Sequence, residues 1–187
     1  LQQSELGCII LSTQLMSRIE EIDPDNMTCT VQAGVVLEYL QTELEIKDLY
    51  FGVSIGSQGS AQIGGLISTN AGGVRVLRYG MMEAQVLGLE VVMADGSIQS
   101  SMAGLHKDNR GPDPLRLMIG AEGSLGIITR ACLRTLPLER YSATAWVGCA
   151  SFEGALDILR LIRKKGYEAL AAFEVMSDSC MPFAALV

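Results

Sequence analysis

Three short segments combine glycine with small polar residues at spacings that suit a phosphate-bearing ligand. The first is Gly56, Ser57, Gln58, Gly59, Ser60, Ala61 and Gln62. The second is Thr69, Asn70, Ala71, Gly72 and Gly73. The third runs Gly120, Ala121, Glu122, Gly123, Ser124, Leu125, Gly126, Ile127 and Ile128, with glycine at every third position up to Gly126. Glycine reaches backbone angles closed to other residues and lets a ligand come close to the peptide plane. Ser, Thr and Asn add short donors and acceptors beside it. The chemistry offered is a cradle of backbone N–H groups around an anion. A tight turn explains any one segment taken singly. Three together are harder to assign to turns, because each ill-placed glycine costs roughly 0.5–1 kcal/mol. Eight of the twenty glycines lie between Gly52 and Gly80, so the enrichment is local.

Other phosphate-binding devices are absent. No two glycines are separated by a single residue, which removes the G-x-G-x-x-G fingerprint, and no GK[ST] follows a glycine loop, which removes the P-loop. The formal net charge is −7. An acidic chain does not present the Lys/Arg surface that general nucleic-acid binding needs, and a phosphate here must be held by backbone rather than by a basic patch.

The single histidine, His106, excludes a multi-histidine metal site built by this chain. It reads as a solvated loop residue. Five cysteines, Cys8, Cys29, Cys132, Cys149 and Cys180, form no CxxC pair; they read as buried free thiols in a reducing compartment. Arg75 and Arg78 read as surface ion-pair residues and Tyr79 as a packing residue. No apolar run approaches the ~20 residues of a membrane helix, and no leader is visible. The chain is expected to begin inside a longer protein.

The elements that must position these segments follow from periodicity. Residues 8–11 predict a short strand, 12–17 a brief helical turn and 19–22 a second extended piece, closed by the turn Asp23-Pro24-Asp25-Asn26. Residues 27–33 alternate as a half-buried strand, and 35–47 form an amphipathic helix with Val36, Leu37, Leu40 and Leu44 on one side. Residues 63–70 predict a short helix capped by Ser60 and ended by Gly72 and Gly73. Strands follow at 86–93, from 98 and at 127–136, with a short helix at 115–119. After Pro137, a strand at 142–149, a helix at 152–165 and a strand at 169–176 predict a β-α-β unit that opens a second domain.

Four stretches, IGGLISTNAGGVRVLRYG, VLGLEVVMADGSI, HKDNRG and IGAEGSLGIITRACLRTLP, resemble the flavin-binding domain of the vanillyl-alcohol-oxidase-type (PCMH-type) FAD-linked dehydrogenases. The ordering is most similar to the D-2-hydroxyglutarate dehydrogenase branch, with D-lactate and glycolate dehydrogenases as cousins. Lys107-Asp108-Asn109 and the later AFEVM favour that branch, while Pro112 stands where the family shows Tyr. The resemblance covers about residues 6–181.

The resemblance implies an α+β fold: the second subdomain of a PCMH-type FAD-binding domain (1–138), followed by the start of a ferredoxin-like substrate domain (139–187). The expected sheet is mixed and flanked by helices. FAD is the implied cofactor, with Gly56 to Gln62, Thr69 to Gly72 and Glu122 to Ile128 along it. No catalytic residue and no metal ligand is expected in this chain. The pyrophosphate loop of the family's first subdomain would precede Leu1. The catalytic and metal-binding His and Glu, and the Arg and Lys that bind substrate, would follow Val187. The whole protein would oxidise a small D-2-hydroxy acid: a base takes the hydroxyl proton, the α-hydrogen leaves as hydride to the flavin, and the electrons pass to a flavoprotein or quinone. This chain alone would be silent. Two alternatives stand beside it: a non-redox flavoenzyme of the alkyl-glycerone-phosphate synthase type, and a flavin-free interaction domain. The expected compartment is a bacterial cytoplasm, with the mitochondrial matrix as the alternative.

Overall fold

The computed structural model describes residues 9–180. Its centre is a five-stranded sheet in the order β1-β2-β6-β4-β5. The strands are β1 (Ile19–Asp23), β2 (Thr28–Gln32), β4 (Val86–Met93), β5 (Ile98–Ser101) and β6 (Gly126–Arg134). Every neighbouring pair is antiparallel, so the expected mixed sheet is not found. Both outer pairs are hairpins, which the two turn sequences impose. Asp23 accepts a hydrogen bond from the Asn26 N–H at 2.9 Å, and Asp95 accepts from the Ser97 N–H at 2.9 Å. A short ladder pairs β3 (Leu49–Tyr50) with β7 (Leu136–Pro137).

The first two helices are shorter than the periodicity predicts. α1 (Leu37–Glu45) buries Leu37, Leu40 and Leu44, the stripe read from the sequence. α2 (Ile63–Ser68) buries Ile63, Leu66 and Ile67 and packs on β6 and β2. α3 (Val76–Tyr79) is a single turn. One continuous core joins these side chains to Phe51, Val53, Leu89 and Leu133.

Ser60 does not cap α2. The helix begins three residues later, at Ile63, and its N-cap is Gln62, whose extended backbone bridges Val36 and whose side chain accepts from the Thr13 hydroxyl at 2.6 Å. The strand expected over 8–11 starts at Cys8, outside the described residues, and 9–11 form none.

Beyond β7, α4 (Phe152–Gly166) forms as expected, with Ser151 accepting from the Gly154 N–H at 3.2 Å and Arg163, Lys164 and Lys165 in the last turn. The flanking strands at 142–149 and 169–176 do not form. Residues 142–149 are exposed throughout, Trp146 at 75%. Among the described residues no strand runs beside either segment, and a strand without a ladder leaves its backbone groups to water.

Candidate functional site

α2 is the piece around which the glycine segments are arranged. At six residues it is about 9 Å long, so groups at its two ends remain close. Its N-terminal end is seated on the β2–α1 corner. Ile63 N donates to Val35 O at 2.9 Å and Gly64 N to Ala33 O at 2.7 Å. A Cβ on Gly64 would lie 2.7 Å from that of Ala33, so only glycine permits this approach.

The first segment folds at that end. Ser60 N and Ala61 N both donate to Ser57 O, and the carbonyls of Ala61 and Gln58 accept from Leu37 N and Glu38 N at 2.9 and 3.1 Å. The first turn of α1 is thereby satisfied by the loop. Its stem continues beside the second segment, where Val74 N donates to Ser54 O at 3.2 Å.

The second and third segments meet at the C-terminal end of α2. Asn70 N donates to Ile67 O at 3.0 Å and Ala71 N to Leu66 O at 2.9 Å, the bond pair of a Schellman stop, with Asn70 in the left-handed region at φ 47°. The expected stop at Gly72 and Gly73 therefore falls earlier, at Asn70. Gly120 N donates to Ile67 O at 3.1 Å and Glu122 N to Ser68 O at 2.9 Å. The last carbonyls of α2 thus anchor both loops. Glu122 is also left-handed, at φ 50°, between Gly120 and Gly123, each at φ 78°; such clustering of unusual backbone is a mark of functional loops.

Several side chains of the motif are spent inside the protein. The Thr69 hydroxyl donates to Gly65 O at 2.9 Å, and Asn70 Oδ1 accepts from Glu83 N at 2.9 Å. Gly126 is required by packing, since a Cβ there would lie 2.7 Å from Val91 Cγ1. Ile128 is buried in the core and does not join the surface formed by the others. What that surface offers is backbone. The N–H groups of Gly56, Ser57, Gly59, Gly72, Gly73, Gly123 and Leu125 have no hydrogen-bond acceptor among the described residues.

Glycine packing separates structural from open positions. Gly52, Gly64, Gly72 and Gly73 each have a neighbour within 2.7 Å of an added Cβ, whereas Gly56 and Gly65 have nothing within 4 Å. Gly65 was not singled out in the sequence. It is exposed inside a helix, where glycine is unfavourable by about 1 kcal/mol relative to alanine. That penalty without a packing reason is the signal that identifies it.

The Arg-Tyr-Gly end of the motif is structural. Arg78 pairs with Glu139 and its guanidinium lies 5.3 Å from the Tyr79 ring centre. Tyr79 packs on Gly52 and, at 5.5 Å between ring centres, on Tyr50. Arg75 makes no ion pair among the described residues. It donates to the Tyr50 hydroxyl at 2.5 Å. Burial raises both tyrosine pKa values, opposed by the neighbouring arginines. His106 donates from Nε2 to Asn26 O at 2.6 Å and so ties its exposed loop to the β1–β2 turn. Cys29 and Cys132 are buried free thiols, while Cys149 and Cys180 are exposed free thiols, unlike the expectation for all five. An open groove of about 810 Å³ runs along the β4–β5 hairpin past Asp95, Asp108 and Asp113. It touches the site only at Leu125, and its one arginine, Arg110, is paired with Asp108.

The family model described as "FAD binding domain" matches residues 1–101, more than half the chain. The chain belongs to the FAD binding domain family. It is 44% identical over 173 residues to the mitochondrial D-2-hydroxyglutarate dehydrogenase of Danio rerio and 42% identical to that of Bos taurus, in each case over 92% of this chain and 32% of the relative. The chain therefore spans about a third of the length of these curated relatives. Among solved structures, alkyldihydroxyacetonephosphate synthase is similar at a TM-score of 0.60 and 23% identity, over 68% of this chain and 23% of that one; this likeness shows the fold alone. The residues fit the FAD that the family name implies. Its pyrophosphate calls for N–H donors, and the loops around α2 of this FAD binding domain hold them unused, beside the open faces of Gly56 and Gly65.

Proposed function

We propose that the whole protein is an FAD-dependent dehydrogenase of D-2-hydroxy acids, with D-2-hydroxyglutarate as the first substrate to test. The observation that carries this reading is the 44% identity across 92% of the chain to a relative named for that activity. It favours a dehydrogenase over the non-redox synthase, whose likeness rests on fold at 23% identity.

Bound FAD would supply the hydride acceptor for oxidation at the substrate's α-carbon. The residues of this chain bind and orient. The N–H groups of Gly56, Ser57 and Gly59 donate toward phosphate oxygens from one end of α2. The backbone of Ala71, Gly72 and Glu122 to Leu125 lines the other end. Gly65 keeps the helix flank low enough for close approach. We assign residues 1–138 to the FAD-binding unit and 139–187 to the opening of the substrate unit. The reading includes a divalent metal and an electron acceptor, flavoprotein or quinone, in the whole protein. Among the described residues, no three His, Cys, Asp or Glu side chains gather to hold a metal, and no helix is long and apolar enough to cross a membrane. The relatives are named as mitochondrial, and we take the mitochondrion as the compartment in preference to a bacterial cytoplasm.

The test is anaerobic titration of the purified full-length protein. Its visible flavin band should bleach with D-2-hydroxyglutarate and not with the L-enantiomer; D-lactate and glycolate serve as competitors for the assignment. A flavin band that no 2-hydroxy acid bleaches, or a protein that binds no flavin, overturns the reading.

A further inference from the structure

We infer that Asn70 is a positioning residue: its side-chain oxygen is spent on the Glu83 N–H and so fixes the spacing of the second and third glycine loops instead of binding the ligand. The inference rests on the FAD reading for its consequence, and on geometry for its substance.

Asn70 is a node. Its backbone N–H closes the Schellman stop on Ile67 O at 3.0 Å, and its φ of 47° turns the chain out of α2. Few residues other than glycine hold that angle without strain; asparagine is one of them. Its Oδ1 accepts from Glu83 N at 2.9 Å, which ties the loop to the 3-10 turn Met82–Gln85 leading into β4. The adjacent Met82 N donates to Ala71 O at 2.7 Å, so two parallel links join the loop to that turn. On the other side, a Cβ on Gly120 would lie 3.5 Å from Asn70 Cβ, and Gly120 N shares the Ile67 carbonyl with Asn70 N. The third loop, held by the Ile67 and Ser68 carbonyls, therefore also passes beside Asn70. Glycine would supply the angle and lose the side-chain link. Aspartate keeps the acceptor and tolerates the angle. Alanine loses the link and strains the angle. Three substitutions thus separate positioning from ligand contact.

The experiment uses the full-length protein and its Asn70→Asp, Asn70→Gly and Asn70→Ala variants. Two quantities are read: FAD dissociation constants by flavin fluorescence, and hydrogen exchange of the apoprotein at the Glu83 and Glu122 amides. Asn70→Asp keeps the acceptor and should stay within about threefold of the parent in exchange, its added charge making FAD affinity no measure of the link. Asn70→Gly should weaken FAD and speed exchange at both amides by about fivefold, the worth of one such hydrogen bond. Asn70→Ala should be weaker than either. Asn70→Asp exchanging as fast as Asn70→Ala at Glu83 would show that the side-chain acceptor is not what holds the loop, and would overturn the inference. Asn70→Gly with unchanged exchange would overturn it as well. If the parent protein binds no FAD, the flavin reading fails, and exchange at Glu83 and Glu122 alone decides the role of Asn70.

Discussion

The backbone of Gly73 passes Ser54 so closely that a Cβ placed on Gly73 would lie 1.9 Å from the Ser54 carbonyl oxygen. Gly73 also sits at φ 89°. Gly73→Ala meets a clash and a strained angle together and should destabilise the protein by roughly 2–4 kcal/mol. Urea denaturation checks this, and an unchanged midpoint would contradict the close approach.

Gly65 is the opposite case. With open space where its Cβ would go, Gly65→Ala should leave stability equal or raise it by up to about 1 kcal/mol. The same change should weaken FAD binding, because the added methyl stands on the face assigned to the cofactor. Melting of the apoprotein and FAD titration read the two effects separately. Unaltered FAD affinity would remove Gly65 from the site.

The Tyr79 hydroxyl is buried without a hydrogen-bond partner among the described residues. Tyr79→Phe deletes that group and keeps the ring on Gly52, so it should be neutral or stabilising. Gly52→Ala pushes into Tyr79, 2.7 Å from its Cβ, and should cost about 1–3 kcal/mol. A loss above about 1 kcal/mol for Tyr79→Phe would mean that the hydroxyl is satisfied in solution.

Burial pushes the Cys29 thiol from 9.0 up to about 12, and Cys132 acts in the same direction. The folded state therefore holds the Cys29 proton at pH values where the unfolded chain releases it. This contribution to stability is complete below about pH 9 and is lost as pH rises toward about 12. Cys29→Ala should show a shallower fall of stability above pH 9.0 than the parent. Native Cys29 should also resist alkylation at pH 8 while Cys149 reacts; equal rates would contradict the burial.

Legibility in the sequence followed how local each cause is. The β4–β5 hairpin was readable because Asp95-Gly96-Ser97 sets its own turn, and α1 because Leu37, Leu40 and Leu44 repeat at helical spacing. The true end of α2 was not, since Asn70 stops it through an angle that asparagine and glycine share, two residues before the obvious Gly72-Gly73. The junction of the third segment with the end of α2 is set by hydrogen bonds from Gly120 and Glu122 to Ile67 and Ser68, across some fifty residues of chain, which no local pattern encodes. Motif composition suggested that Thr69 and Asn70 face a ligand. Only the fold shows that the Thr69 hydroxyl and the Asn70 side-chain oxygen are spent on the backbone of Gly65 and Glu83. At 142–149 the alternation was present, but a strand exists only where another strand accepts its hydrogen bonds.

β6 has a consequence for the order in which this protein is made. The β1–β2 and β4–β5 hairpins are local and can form as soon as their residues leave the ribosome. They do not touch each other, because β6 lies between them in the sheet. Thr28 waits for Arg134, and Val86 for Leu133. Pairings so distant in sequence form slowly, and a chain halted before them exposes unpaired edges. Ribosome-bound chains ending before Gly126 should be cleaved readily within β2 and β4, and those carrying β6 clear of the exit tunnel should not. Gly120 and Glu122, which complete the clamp on α2, immediately precede that strand. Closure of this sheet and completion of the clamp on α2 therefore depend on the same short stretch of chain, and neither precedes the synthesis of residues 120–134.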